Sequence, residues 1–338
     1  MRTGLICFSD SGAALAQRLC ETLSIARTDV HSIEKYAVKY GFTAHETIHA
    51  DMGGLFSAYD ALVFLCACGI AVREIAPYVK SKTSDPAVLV MDDRGRFVIP
   101  ILSGHIGGAN ALSRQIESLV GAKAVITTAT DGAGRFSPDA WAAEHGLTIS
   151  SMSLAKEVSA AILTGNIPVV SDFPLPDHLP DGLTGQAEGG LGIYIGVGTQ
   201  TPFSSTLRLI PKIVTVGVGC RRGTSEERIY DALTETLKKY QIDLRAICRI
   251  ASVDIKRDEP GLLACAHRLG VPAVFFSARE LGAVPGDFEE SDFVKQTVGV
   301  GNVCERAAVC AGGKRLVRKT ARNGVTIAVG IADWSVEF

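Results

Sequence analysis

At Ser103-Gly104-His105-Ile106-Gly107-Gly108-Ala109-Asn110 the chain changes period. The apolar, β-branched run Phe97–Leu102 before it reads as a strand, and Ala111, Leu112, Ile116, Leu119 and Val120 after it recur at helical spacing. The same change falls at Gly69, between the apolar run Ala61–Leu65 and a helical pattern over residues 70–79. It falls again at Gly217, Gly219 and Gly223, between an apolar run at 213–218 and a helix over 225–240 opened by a capping box of Thr224 and Glu227. Repeated strand, glycine corner and helix restrict the chain to an α/β architecture. Ala87–Met91 and Phe97–Leu102 flank the turn Asp92-Asp93-Arg94-Gly95-Arg96, which predicts a hairpin, and Asn323-Gly324 predicts another. The proline-rich stretch 172–182 reads as a surface loop, and no repeat of fixed period is visible. The expected class is therefore α/β, with two open α/β domains of largely parallel or mixed sheets joined by a smaller connecting domain. Residues 1–130, 131–212 and 213–338 are the expected divisions.

With 338 residues, of which 47% are hydrophobic, the chain can bury substantial cores. A formal net charge of −2 gives no general nucleic-acid surface, so any anion site must be local. Residues 1–8 read as a strand without a secretory signal, and no apolar run reaches the roughly 18 to 20 residues of a membrane helix. A cytoplasmic location is the expectation. Nine cysteines without a paired CxxC arrangement argue against a disulfide framework or a zinc ribbon. Cys66 and Cys68 read as extensions of the strand Ala61–Leu65 rather than as nucleophiles. His45 and His49 are four apart but lack a further ligand, and with His31, His145, His178 and His267 they are read as surface residues.

That leaves His105. At a strand-to-helix junction the first N–H groups of the helix lack intrahelical partners, and the aligned peptide dipoles favour negative charge there. Gly104, Gly107 and Gly108 allow close approach to the backbone, and His105 adds a base that changes charge near neutral pH. The stretch Gly217-Val-Gly-Cys-Arg-Arg-Gly223 is neither a phosphate-binding P-loop, which needs a lysine after the last glycine, nor the GxGxxG fingerprint, because its third glycine falls one residue late. Arg221 and Arg222 there, like Arg73, Lys80 and Lys82 near the first corner, suit carboxylates.

Residues 69–88, from Gly69-Ile-Ala-Val-Arg73 to Asp85-Pro-Ala-Val88, together with Ser103 to Asn110 and Ile126-Thr-Thr-Ala-Thr-Asp131, resemble the cobalamin-biosynthesis CbiG family, the cobalt-precorrin 5A hydrolases. Val216-Gly-Val-Gly-Cys-Arg-Arg-Gly-Thr-Ser225 and Thr297 to Ala308 are similar to that family's C-terminal domain. The resemblance implies a cobalt-bearing tetrapyrrole with acetate and propionate arms as substrate. It further implies opening of a ring-A δ-lactone by water with release of acetaldehyde. Such chemistry needs a general base and oxyanion donors. His105 is the expected base, Gly107 and Gly108 the expected donors, Asp131 the expected partner of His105, and Asp85 a second carboxylate candidate. Glu305 is expected to act from the C-terminal domain, its alternative being an exposed helix residue. Arg73, Lys82, Ser103, Gly104, Gly107, Gly108, Asn110, Gly219 and Arg221 form the expected substrate-binding set. No organic cofactor and no protein-bound metal are expected, cobalt being carried by the substrate. Partners are expected to be the tetrapyrrole and either a second copy or other enzymes of the pathway, not nucleic acid or membrane. A noncatalytic tetrapyrrole carrier is the alternative reading. A phosphate- or nucleotide-binding enzyme is a third, against which the imperfect glycine fingerprints count.

Overall fold

The computed structural model describes residues 1–22, 27–81, 84–105, 107–128, 134–186 and 188–338. They divide into two compact units, Met1–Glu144 and His145–Phe338. In the first unit the order is β1 (Thr3–Cys7), α1 (Asp10–Thr22), β2 (Thr28–Ile33), α2 (Glu34–Tyr40), β3 (Thr43–His45), α3 (Ile48–Ala58), β4 (Ala61–Leu65) and α4 (Cys68–Ile75). Then come β5 (Ala87–Met91), β6 (Phe97–Leu102), α5 (Ala109–Val120), β7 (Lys123–Ala124) and α6 (Pro138–Glu144). The seven strands form one sheet in the order β3-β2-β1-β4-β5-β6-β7.

The central strands β1, β4 and β5 are buried along their whole length, as strands covered on both faces must be, and their sequences are accordingly almost unbroken apolar runs. Leu5, Val63 and Leu89 belong to a core packed with α1 and α5, whereas Ile6, Phe64 and Val90 belong to another packed with α3 and α4. Truncating the fully buried Phe64 to alanine would cost about 3–5 kcal/mol.

Strands β1 to β5 run parallel, but β6 runs antiparallel to β5, as the hairpin at Asp92 requires. Asp92 builds that turn by accepting the N–H groups of Arg96 and Phe97 at 2.7 and 2.8 Å. Strand β7 pairs parallel with β6 and therefore also runs against the main set. It is only two residues long.

In the second unit β8 (Thr148–Ile149), α7 (Met152–Ile162), β9 (Ile167–Ser171), β10 (Leu183–Thr184), β11 (Leu191–Ile195) and β12 (Ser205–Ile210) give a sheet in the order β10-β9-β11-β12-β8. There follow β13 (Val214–Cys220), α8 (Glu226–Lys239), β14 (Ile247–Val253), α9 (Pro260–Leu269), β15 (Ala273–Phe276), α10 (Ala278–Ala283), α11 (Asp292–Val298), α12 (Cys304–Gly312), β16 (Lys314–Arg322) and β17 (Val325–Ile331). Their sheet has the order β15-β14-β13-β17-β16. Asn323 and Gly324, both at positive φ, close the β16–β17 hairpin.

Asp243 links the two sheets of this unit. Its buried carboxylate lies 2.7 Å from Arg208, in β12, and 2.7 Å from Arg245. Burial alone would raise its pKa, but the Arg245 and Arg208 guanidinium groups outweigh burial and hold it below the usual carboxylate range. All three sheets fit the expected α/β class with mixed strands. The capping box at Thr224 does not form. Ser225 is the N-cap of α8, and the Thr224 hydroxyl instead donates to the Arg221 carbonyl at 2.7 Å.

Candidate active site

The turn from β6 into α5 is held by its own backbone. Ser103, Gly104 and His105 offer their carbonyls to the N–H groups of Ala109, Asn110 and Gly108 at 3.2, 2.9 and 2.9 Å. Ser103 adopts φ +54, a conformation a non-glycine residue holds only when its surroundings compel it. Here its buried hydroxyl is tied to the Asp85 carbonyl at 3.0 Å. A side chain at Gly107 would run into Ser103, and Gly108 stands at φ +85, so both positions require glycine. Asn110, also buried, donates to the Thr128 hydroxyl at 3.1 Å and fills the space where Gly104 lacks a side chain.

This turn presents His105 to a carboxylate that the sequence reading missed. Asp139, buried in the first turn of α6, places Oδ1 3.3 Å from His105 Nδ1. The Ser137 hydroxyl donates to the same Asp139 oxygen at 2.9 Å and lies 3.4 Å from His105 Nδ1. Only 16% of the His105 side chain and 9% of the Asp139 side chain are exposed, so the interaction is little screened by water. The sequence signal was Ser137-Pro138-Asp139, a serine before a proline that opens a helix. It marks a helix start and not a histidine partner.

The other expected residues are scattered. Lys82 and Asp131 lie outside the described residues. Asp85 is committed locally, its carboxylate accepting the N–H groups of Lys80 and Ser81 at 2.7 and 2.9 Å, which is the turn role open to an Asp-Pro pair. Arg73 is exposed on α4 and folds back onto the Gly69 carbonyl at 3.2 Å. Strand by strand, the Gly69 and Ser103 corners both follow carboxyl ends. Because β6 is reversed, they stand at opposite edges of the sheet: Val88 pairs with Leu102, so Ser103 adjoins the start of β5.

The edge bearing Gly69 has a cleft of about 410 Å³ between Phe8 and Ser9 after β1, Cys66 and Ala67 after β4, and Asp92 and Asp93 after β5. It lies where the strand order reverses between β1 and β4, the usual crevice of such sheets. Cys66 lies just beyond β4 and Cys68 opens α4, so neither extends the strand. Burial pushes the Cys66 thiol up to about 12, which leaves it a protonated, poor nucleophile at neutral pH.

Reading all the remaining histidines as surface residues fails for His31, which is 5% exposed. Its Nδ1 lies 2.9 Å from His45 Nε2 and its Nε2 2.7 Å from the Tyr59 hydroxyl. Tyr59 donates to Asp29 at 2.8 Å, and His45 Nδ1 lies 2.7 Å from Asp51. His45 sits in β3 and His49 on α3, so they share no helical face.

In the second unit Gly219 lies in β13 opposite Thr326, whose hydroxyl donates to its carbonyl at 3.2 Å. Arg221 is exposed in the following loop. That loop's Gly223 N–H is taken by the buried Glu259 carboxylate at 2.7 Å, itself 3.1 Å from Lys256, so an acidic side chain of the protein already occupies the glycine turn. Glu305 is 1% exposed rather than a solvated helix residue. Its oxygens accept from Asn302 Nδ2 at 2.7 Å and the Lys319 N–H at 2.9 Å, with Arg315 3.7 Å away. These contacts tie the start of α12 to β16.

A histidine carried on a glycine-built turn beside a buried carboxylate of α6, on a mixed sheet of doubly wound type, marks the first unit as an α/β domain of doubly wound class. Comparison with known proteins makes this specific. The family model described as Cobalamin synthesis G N-terminal matches residues 51–131, and that described as Cobalamin synthesis G C-terminus matches residues 214–330. A protein of Salmonella typhimurium named cobalt-precorrin-5A hydrolase is 35% identical over 344 residues, which cover 97% of this chain and 97% of that protein. One of the same name from Priestia megaterium is 31% identical over 303 residues, covering 83% and 80%. A solved cobalamin biosynthesis protein G homolog from Sulfolobus solfataricus is 22% identical with a TM-score of 0.42, covering 98% of this chain and 97% of that one. The chain belongs to the cobalamin synthesis G, or CbiG, family.

Proposed function

We propose that the chain is a cobalt-precorrin-5A hydrolase: with water it opens the ring-A δ-lactone of a cobalt tetrapyrrole and releases acetaldehyde, giving cobalt-precorrin 5B. The observation that carries this reading is the 35% identity with the Salmonella protein of that name across 97% of both chains. In this reading His105 removes a proton from the attacking water. Of the two glycines expected to face the oxyanion, Gly108 already donates its N–H to the His105 carbonyl, so the role falls to Gly107. Collapse of the tetrahedral intermediate gives a carboxylate and a freed alcohol. Loss of the alcohol proton then breaks the carbon–carbon bond, acetaldehyde departs, and the electron pair enters the conjugated macrocycle. The substrate thus supplies both the electron sink and the only metal the reaction uses.

Glu305 and Arg221 belong to the other unit. With its carboxylate engaged by Asn302 and Lys319, Glu305 serves here as a support for α12 rather than as an acid or base, and Arg221 is a candidate contact for a substrate carboxylate. Arg73 and the residues beside His105 face different edges of the first sheet, so they would meet different arms of a large ligand or not the same ligand at all. Among the described residues no helix is long and apolar enough to cross a membrane, which suits an enzyme of the cytoplasm acting on a soluble intermediate.

The test is acetaldehyde release from cobalt-precorrin 5A by the purified protein, read through a coupled dehydrogenase. Stoichiometric, catalytic release is expected. Saturable binding of the macrocycle without release would replace the hydrolase with the carrier.

A further inference from the structure

As a general base, His105 must hold its own proton on the nitrogen that faces away from the water. We infer that Asp139 is the positioning residue of His105, fixing the tautomer that carries its proton on Nδ1 and so directing the lone pair of Nε2 at the water. The inference rests on His105 being the base.

A neutral imidazole has one donor and one acceptor nitrogen, and an ionised carboxylate can only accept. Ser137 spends its proton on Asp139 at 2.9 Å, so toward His105 Nδ1, 3.4 Å away, its oxygen can only accept, and the Asp139 carboxylate 3.3 Å from Nδ1 can only accept as well; both favour the Nδ1–H form. Asp139 is itself held in place. It lies in the first turn of α6, where the helix dipole favours a negative charge, and the Ser137 hydroxyl donates to the same oxygen at 2.9 Å. Trp141 in turn donates its N–H to the Ser137 carbonyl at 2.9 Å, which fixes the start of the helix. As water loses its proton, His105 becomes an imidazolium, and a buried carboxylate beside Nδ1 stabilises that charge more than it stabilises the neutral ring. The effect belongs to the rate step rather than to substrate binding.

Two readouts test this on the full-length protein. In Asp139→Asn, kcat for acetaldehyde release should fall about 10²–10⁴-fold with KM nearly unchanged, because the amide both loses the charge and tolerates the other tautomer. Asp139→Glu should recover part of the loss, and Ser137→Ala should lower kcat by a smaller factor. Independently of turnover, ¹⁵N spectra of the His105 imidazole at a pH where it is neutral should show a protonated Nδ1 in the wild type and a shift toward the other tautomer in Asp139→Asn.

If His105→Ala is inactive but Asp139→Asn keeps wild-type kcat and an unchanged imidazole spectrum, the inference is wrong and the base assignment stands. If His105→Ala turns over normally, the base assignment fails, and the spectrum alone then decides whether Asp139 sets the tautomer. Should Asp139→Asn not fold, Ser137→Ala and Asp139→Glu carry the same two readouts.

Discussion

His31 and His105 occur in the same compact unit, both beside carboxylate networks, and they are built for opposite ends. His31 lies in the middle of β2 with both ring nitrogens engaged, by His45 at 2.9 Å and by Tyr59 at 2.7 Å. Burial first, and then the neighbouring His45, hold its pKa down to about 4, so it remains neutral across the physiological range. Asp29 and Arg2 are the other charged groups acting on it, Asp29 raising its pKa and Arg2 lowering it. Nothing about His31 invites a substrate. His105 stands instead in a turn of the chain, with the Asp139 carboxylate 3.3 Å from its Nδ1. The contrast shows that a histidine near an acid is not by itself a catalytic pair. What separates the two is their setting: His31 is locked inside a strand between His45 and Tyr59, whereas His105 is carried on a turn at the rim of the sheet.

Among changes that spare both His105 and Asp139, the greatest departure should come from disturbing the corner's backbone. Gly107→Ala forces a methyl group against Ser103 and shifts His105, and a displacement of about 1 Å at a reacting group can cost about 10²-fold in rate. Turnover by this variant, with its urea midpoint, would reveal whether the corner is as exacting as its geometry implies. A wild-type rate would make it an ordinary helix start. Next in size, Tyr59→Phe leaves His31 and Asp29 without their shared hydroxyl, which should cost about 1–3 kcal/mol of stability and leave kcat untouched. A loss of turnover there would join the two networks that the structure keeps apart.

A subtler effect is the acid limb of stability. The unfolded chain protonates His31 near its ordinary value of 6.5, whereas the folded chain resists until about 4. The contribution is therefore complete above pH 6.5 and is lost as the pH falls toward 4. In His31→Gln, urea midpoints followed over that range should decline less steeply than in the wild type. The smallest effect is expected for Cys66→Ala: its thiol is protonated at neutral pH, so acetaldehyde release should be unchanged, and inactivation would move the chemistry to the cleft on the opposite edge.

Much of the framework was legible because local signals and burial coincide. Ala61–Leu65, Ala87–Met91 and Phe97–Leu102 are runs whose composition and flanking turns leave little choice, and the structure has those strands at those residues. Strand β2, by contrast, carries His31 and Ser32 buried beside a partly exposed Asp29, and its polar side chains hide a strand that is satisfied by partners remote in sequence, such as Tyr59. Asp139 was missed for the same reason: nothing local links it to His105, and only the return of α6 to the β6–α5 turn does so. The hairpin at Asp92 was read correctly, and the reversal of β6 is its direct consequence. That reversal places the Gly69 and Ser103 corners at opposite edges, although each follows the carboxyl end of its strand.

The most direct measurement is acetaldehyde release from cobalt-precorrin 5A by His105→Ala and His31→Gln in parallel with the wild type, each with its unfolding midpoint recorded. The expected result is a fall of about 10²–10⁴-fold for His105→Ala at near wild-type stability, and wild-type turnover at lowered stability for His31→Gln. Normal turnover by a folded His105→Ala would contradict the assignment of the corner as the site of proton transfer.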